Sequence, residues 1–197
     1  MIRKARADDL NRIAEIEVFN YRLQFYPIFR SDEFYFGELQ VPSVARRYAD
    51  SLEHIRVYDD GVVKGFVFVQ DAEVKKLFVE PVLQGHGIGA KLLDYAVKHM
   101  GARTLWALEK NTRAIRFYQK HGFHVTGEKR LEDGTCEYLV RMQRTSAAES
   151  LSCDTSVQTQ CDTDTDSWNV LYALPRSSLQ KTSLLLVCDA VAKPSLP

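Results

Sequence analysis

Leu77-Phe78-Val79-Glu80-Pro81-Val82-Leu83-Gln84-Gly85-His86-Gly87-Ile88-Gly89-Ala90-Lys91-Leu92-Leu93 is the stretch on which the reading of this chain turns. The apolar Leu77-Phe78-Val79 reads as the end of a strand. Leu92, Leu93, Tyr95, Ala96 and Met100 are spaced to bury one face of a helix. Between them lie three glycines in five positions, which is more than a plain strand-to-helix turn requires. The first amides of a helix have no intrahelical partner. Glycine lets a bulky anion approach that backbone without meeting a Cβ, and the helix dipole adds about half a positive charge there. A phosphate or diphosphate is the natural guest of the amides from Gly85 to Ala90. The glycine spacing is G-x-G-x-G rather than G-x-G-x-x-G, and the motif sits behind four predicted strands instead of opening a βαβ unit. Both facts count against a dinucleotide fold.

Outward from that turn, the chain alternates strand and helix signals. Ile2 to Ala5 is a predicted strand, and Asp8 or Asp9 is placed to cap a helix burying Leu10, Ile13, Ala14 and Phe19. Tyr21, Phe25, Tyr26, Phe29, Phe34, Tyr35 and Phe36, with Pro27 among them, are too irregular for one straight helix. Ser43 to Ser51 is expected to be helical. Ile55–Tyr58 and Val62–Val69 flank Asp59-Asp60-Gly61, a hairpin signal. Glu73–Val79 and Thr104–Leu108 are strands; Asn111 caps a helix running to about Lys120, and Gly122 ends it. Phe123–Glu128 and Cys136–Met142 form a last hairpin around Glu132-Asp133-Gly134. The pattern predicts an α/β (α+β) domain, a mixed and mostly antiparallel sheet flanked by helices, over residues 1–144.

From Ser146 to Ser167, Ser, Thr, Asp and Gln dominate, and there is little to bury against a backbone ordering cost of ~1–2 kcal/mol per residue. Residues 145–197 therefore read as a low-complexity, disordered tail. Asp162-Thr163-Asp164-Thr165-Asp166 imitates the start of a calcium loop, but Ser167 stands where glycine is needed and Ala173 where glutamate is needed. Leu184–Val187 is too short to span a bilayer.

Composition narrows the function classes. The chain has 197 residues, 26 basic and 26 acidic, which disfavours a nucleic-acid platform. No apolar run approaches the ~18 residues of a membrane span, and the N-terminus lacks a signal-peptide core. Cys136, Cys153, Cys161 and Cys188 fit no zinc spacing. Reduced thiols in a cytoplasmic protein, with no metal, are the expectation.

Gln84-x-x-Gly87-x-Gly89 after a strand resembles the acetyl-CoA motif of the GNAT superfamily of N-acetyltransferases. Asn111-Thr112-Arg113-Ala114-Ile115-Arg116-Phe117-Tyr118-Gln119-Lys120-His121-Gly122-Phe123 is similar to that family's second signature. Two motifs in the right order on the right elements carry the resemblance across Met1 to about Arg144, and the tail has no counterpart. The resemblance implies an acetyl-CoA-dependent N-acetyltransferase. Its cofactor contacts would be Leu77, Phe78 and Val79 of the strand, Gln84, Gly85, His86, Gly87, Ile88, Gly89 and Ala90 of the turn, and Asn111, which is a helix cap first. Tyr118 matches the tyrosine that protonates the departing thiolate; the competing reading is a core aromatic. Glu73 lies where some members carry the base that deprotonates the amine; a solvated strand glutamate is the competing reading. Transfer would be direct, without an acyl-enzyme, since neither motif holds a cysteine. The acceptor would be an amine-bearing small molecule or a protein N-terminus; the aromatic segment Tyr21–Phe36 occupies the place where the family builds its acceptor site, and lining an amine pocket and packing the helices together are equal readings of it. Many members form homodimers. A non-catalytic acyl-CoA-binding module and a transferase for longer acyl groups are the alternatives.

Overall fold

The computed structural model describes residues 1–145; the expectations for the tail, including the Asp162–Asp166 run and Leu184–Val187, fall outside the described residues. A seven-stranded sheet runs in the order β1-β2-β3-β4-β5-β7-β6. Its strands are β1 (Ile2–Lys4), β2 (Ile55–Asp59), β3 (Val63–Gln70), β4 (Glu73–Val79), β5 (Thr104–Leu108), β6 (Phe123–Leu131) and β7 (Tyr138–Arg144). Every neighbour pair is antiparallel except β4 and β5. The helices are α1 (Leu10–Gln24), α2 (Tyr26–Phe29), α3 (Val41–Tyr48), α4 (Ile88–His99) and α5 (Thr112–Lys120).

β3 is nearly continuous in apolar residues because it is covered on both faces. Phe66 points to the face of α1 and α3, where its ring meets those of Tyr48 and Phe78, each at 5.8 Å. The neighbouring Gly65 points to the opposite face, where a Cβ would stand 2.8 Å from the Phe78 carbonyl oxygen and 3.2 Å from Leu92 of α4. Only glycine permits that approach of β3, β4 and α4. Leu92, Leu93 and Ala96 of α4 are buried there, at roughly 1.5–3 kcal/mol for each leucine.

The ladder between β4 and β5 consists of two pairs, Glu73–Thr104 and Val74–Leu105, and then stops. β4 continues to Val79 against β3, with Lys75 as an extra residue in the register, while β5 continues to Leu108 against β7. The sheet therefore opens between two parallel strands, a site where α/β folds place ligands.

Three expectations are corrected. Phe19 is 47% exposed, because the buried face of α1 carries Ile13, Ile16, Glu17, Asn20 and Tyr21 instead. Neither Asp8 nor Asp9 caps α1 with its side chain: a 3-10 turn, Ala7–Asp9, precedes the helix, and the Asp9 carboxylate accepts from the Arg6 N–H at 2.8 Å. The last hairpin is longer than expected, because Gly127 with φ 85° absorbs a register shift and β6 continues to Leu131.

Asp9 also receives two hydrogen bonds from the Arg3 guanidinium, at 2.7 and 2.9 Å, which tie β1 to the start of α1. These bonds hold the Asp9 carboxyl below its ordinary value of 3.8, against burial. A lowered folded-state value means that the stabilisation is fully present above the ordinary value of 3.8 and is lost as the pH falls from there through the folded-state value. Asp9→Asn is expected to cost about 2 kcal/mol in urea unfolding at pH 7. The difference from wild type should shrink in acid, where the native carboxyl is protonated too.

Candidate functional site

The turn between β4 and α4 has the backbone its glycines require. Gly85 and Gly87 take φ of 84° and 74°, in the left-handed region. Gly87 is the residue before α4, and no side chain caps the helix. The Gly87 carbonyl accepts from Lys91 N–H at 3.1 Å, so the amides of Ile88, Gly89 and Ala90 lie ahead of the first such bond. A cavity of about 390 Å³ opens at this helix end, lined by Val79, the turn residues Gln84, Gly85, Gly87, Ile88, Gly89 and Ala90, and Phe117, Lys120 and His121 of the α5 side. A Cβ on Gly87 would meet nothing within 4 Å, while one on Gly89 would touch Phe117 and Val79, both at 3.7 Å.

Lys120 and His121 stand in the second signature without an assigned role. They reach the cavity because Phe117 packs over Gly89, and positions three and four residues further along α5 share its face. The His121 Nδ1 lies 2.8 Å from the Phe117 carbonyl oxygen and so carries its proton there. Together with the α4 dipole, Lys120 gives the cavity a cationic wall suited to an anion.

The other sequence candidates fall as follows. The Gln84 side chain donates to Asn20 Oδ1 at 3.0 Å and to the Val79 carbonyl at 3.3 Å. Asn20 in turn donates to Ile16 and Val79 carbonyls at 2.7 and 3.0 Å. The glutamine thus pins the glycine turn to α1 and to the end of β4. His86 is exposed, its Nδ1 near the Leu83 and Gln84 carbonyls, and it does not line the cavity. Leu77, Phe78 and Val79 are buried on β4 beyond the end of its ladder with β5. Asn111 caps α5, its Oδ1 accepting from Ala114 N–H at 2.8 Å. Tyr118 is fully buried between Phe117 and Phe123, at ring distances of 5.3 and 5.8 Å, and is not part of the cavity wall. Glu73 stands where β4 and β5 still pair, with Lys75 Nζ at 2.9 Å.

On the opposite face of β4 is a buried polar group that sequence reasoning missed. Lys76 is 3% exposed and donates to the Tyr21 hydroxyl at 2.7 Å, with Glu17 Oε1 at 3.6 Å. Glu17, 1% exposed, also accepts from the Tyr48 hydroxyl and lies 3.7 Å from Arg47. Burial pushes Lys76 below its ordinary value against the pull of Glu17, and pushes Tyr21 and Tyr48 well above theirs. The signal available was a lysine pair inside an apolar strand and a glutamate four residues before Tyr21 on the buried helix face. Among the described residues no group of three His, Cys, Asp or Glu is placed to hold a metal, and no helix is long and apolar enough to cross a membrane.

Residues 51–125, which include β2 to α5 and the glycine turn, match the acetyltransferase (GNAT) domain family. The chain is 34% identical over 79 residues to the peptidyl-lysine N-acetyltransferase YjaB of Salmonella typhimurium, covering 40% of this chain and 54% of that one. It thus spans about half the length of that relative. It is 32% identical over 136 residues to an uncharacterized N-acetyltransferase of Archaeoglobus fulgidus, covering 59% of this chain and 88% of that one. The solution structure of apo YjaB from Escherichia coli superposes with a TM-score of 0.59 at 25% identity, over 75% of this chain and 98% of that one.

Proposed function

Because this chain belongs to the GNAT superfamily of N-acetyltransferases, we propose that it moves an acetyl group from acetyl-CoA directly to a primary amine. The observation that carries this reading is the α4 N-terminus: glycines in left-handed conformation and amides without a side-chain cap, facing a cavity with Lys120 on its far wall. The amides of Gly87, Ile88, Gly89 and Ala90 hold the diphosphate of the coenzyme. The β4 segment Leu77-Phe78-Val79, past the end of the β4–β5 ladder, carries the pantetheine arm and polarises the thioester carbonyl. Tyr118 supplies the proton to sulfur as the thiol leaves. The acceptor amine enters from the face of α1 and α2, and the name of YjaB supports the ε-amine of a peptidyl lysine.

Gly87→Ala tests the diphosphate contact. The methyl meets no protein atom within 4 Å, so the folding cost is limited to the left-handed backbone, about 1–2 kcal/mol. Acetyl-CoA affinity measured by calorimetry should nevertheless fall more than about tenfold, since the methyl projects into the space a diphosphate needs. Affinity equal to wild type removes the reading. The acceptor is found by following thiol release from acetyl-CoA with a lysine-containing peptide, a peptide N-terminus, free amino acids, spermidine and an aminoglycoside. Coenzyme binding without thiol release across this panel would mark a binding module instead.

A further inference from the structure

A carboxylate used by none of the steps above lies on the acceptor face. β5 and β7 pair through Leu108 and Leu139, and β6 and β7 pair through Leu131 and Tyr138. The turn from β6 to β7 therefore sits at the end of β5 where β4 no longer pairs with it. Its backbone is tied down: Glu132 N–H donates to Glu137 O at 2.8 Å, and Thr135 donates to Glu132 O through both its N–H, at 3.1 Å, and its hydroxyl, at 2.9 Å. That turn carries the half-buried Glu132 to the α1 face, within electrostatic reach of Lys76 on β4, Tyr21 on α1 and Tyr35 in the π-helical turn Glu33–Glu38. No ion pair within 4 Å engages Glu132 among the described residues.

We propose that Glu132 receives the ammonium of the acceptor on the face opposite the diphosphate cavity and takes its proton. The inference rests on the acetyl-transfer reading and names the carboxylate through which that site selects a cationic amine. Charge and geometry favour Glu132 over Glu73, whose carboxylate is already engaged by Lys75 at 2.9 Å. Burial raises the Glu132 carboxyl above its ordinary value; Lys76 and Arg130 pull it down and Asp133 pushes it up. Behind Lys76 stand Glu17 and Arg47, which complete the charged surroundings. A carboxylate made more basic than usual is a better acceptor of an ammonium proton.

The proton inventory closes. Glu132 takes one proton from the ammonium and passes it to solvent. The freed lone pair forms the C–N bond, and the C–S pair departs on sulfur, which Tyr118 protonates. The second nitrogen proton replaces the one Tyr118 gave. One ammonium and one acetyl thioester become an amide, a thiol and one proton.

The test uses the full chain, acetyl-CoA and each amine of the panel, comparing wild type, Glu132→Gln and Glu73→Gln from pH 6 to 10. Glu132→Gln should lower kcat/KM for the amine about 10²-fold at pH 7, with acetyl-CoA affinity and melting temperature unchanged. The gap should narrow below about tenfold near pH 10, where solvent deprotonates an alkyl amine unaided. A loss of equal size at every pH would mark a structural role and overturn the proposal. So would wild-type rates for Glu132→Gln, or a pH-dependent loss found in Glu73→Gln instead. Failure to bind acetyl-CoA at all defeats the acetyl-transfer reading; binding with normal turnover in Glu132→Gln defeats this inference alone.

Discussion

Tyr118→Phe should lower kcat for acetyl transfer about 10³-fold, while acetyl-CoA affinity by calorimetry stays within twofold of wild type. The substitution isolates one atom. Phe keeps the ring contacts with Phe117 and Phe123, at 5.3 and 5.8 Å, so the packing of α5 against β6 is retained. What disappears is the hydroxyl, a neutral donor at pH 7 on a rigid ring. A thiolate leaving group, ordinarily near pKa ~8.5, departs more easily when a proton is delivered as the C–S bond breaks. The full burial of Tyr118 makes the measurement discriminating. If the tyrosine is only a core aromatic, the variant turns over at the wild-type rate and differs only in stability. If it donates the proton, the rate collapses whatever the change in stability. A single-turnover measurement with saturating acceptor separates the chemical step from product release.

The glycine turn proposed to hold the donor is legible in the chain because it is written in local backbone chemistry. Gly85 and Gly87 need positive φ, Asn111 caps a helix three residues ahead of the amide it binds, and the bounds of β4 and β5 follow from the apolar runs they contain. These features involve neighbours in sequence, so a window of a few residues carries them. The buried polar cluster on the face proposed for the acceptor is assembled from distant positions. Glu17 meets Tyr48 and Lys76, and Lys76 meets Tyr21 and the field of Glu132, across separations that no periodic pattern records. The misreading of α1 has the same origin. Counting Glu17 and Asn20 as surface residues rotates the apparent buried face toward Phe19. The structure buries both polar side chains because each has partners supplied by other elements. The place of His121 on the cavity wall likewise depends on how α5 packs beside α4. The ladder that stops after Val74 is likewise a property of two strands and their neighbours, not of either strand's residues.

Lys76→Met is expected to destabilise the protein by about 3–5 kcal/mol in urea unfolding at pH 7, because it leaves the carboxylate of Glu17 buried with its main cation removed. Glu17→Leu should cost a similar amount by removing the carboxylate beside the buried Lys76 ammonium. The double variant should be more stable than the sum of the two single losses predicts, since apolar side chains of similar volume replace the whole pair. The pH dependence gives an independent check with a definite sign. Burial lowers Lys76 below its ordinary 10.5, so between its folded-state value and 10.5 the unfolded chain binds more protons and stability rises with pH. Tyr21 and Tyr48 act in the opposite sense: burial raises both above their ordinary 10.0, so above that pH the unfolded chain loses protons that the folded chain keeps, and stability falls. Wild type should therefore climb toward pH 10 and decline beyond it. Lys76→Met should lose the climb and keep the decline, whereas a Lys76 that contributed only packing would leave both limbs in place. The same variant bears on chemistry, because Lys76 lies on β4 immediately before Leu77-Phe78-Val79 and its charge acts on Glu132. Removing its charge lets the Glu132 carboxyl rise further. The acidic limb of the amine-transfer profile should then move to higher pH, linking the buried pair that holds α1 to β4 with the carboxylate assigned to the acceptor.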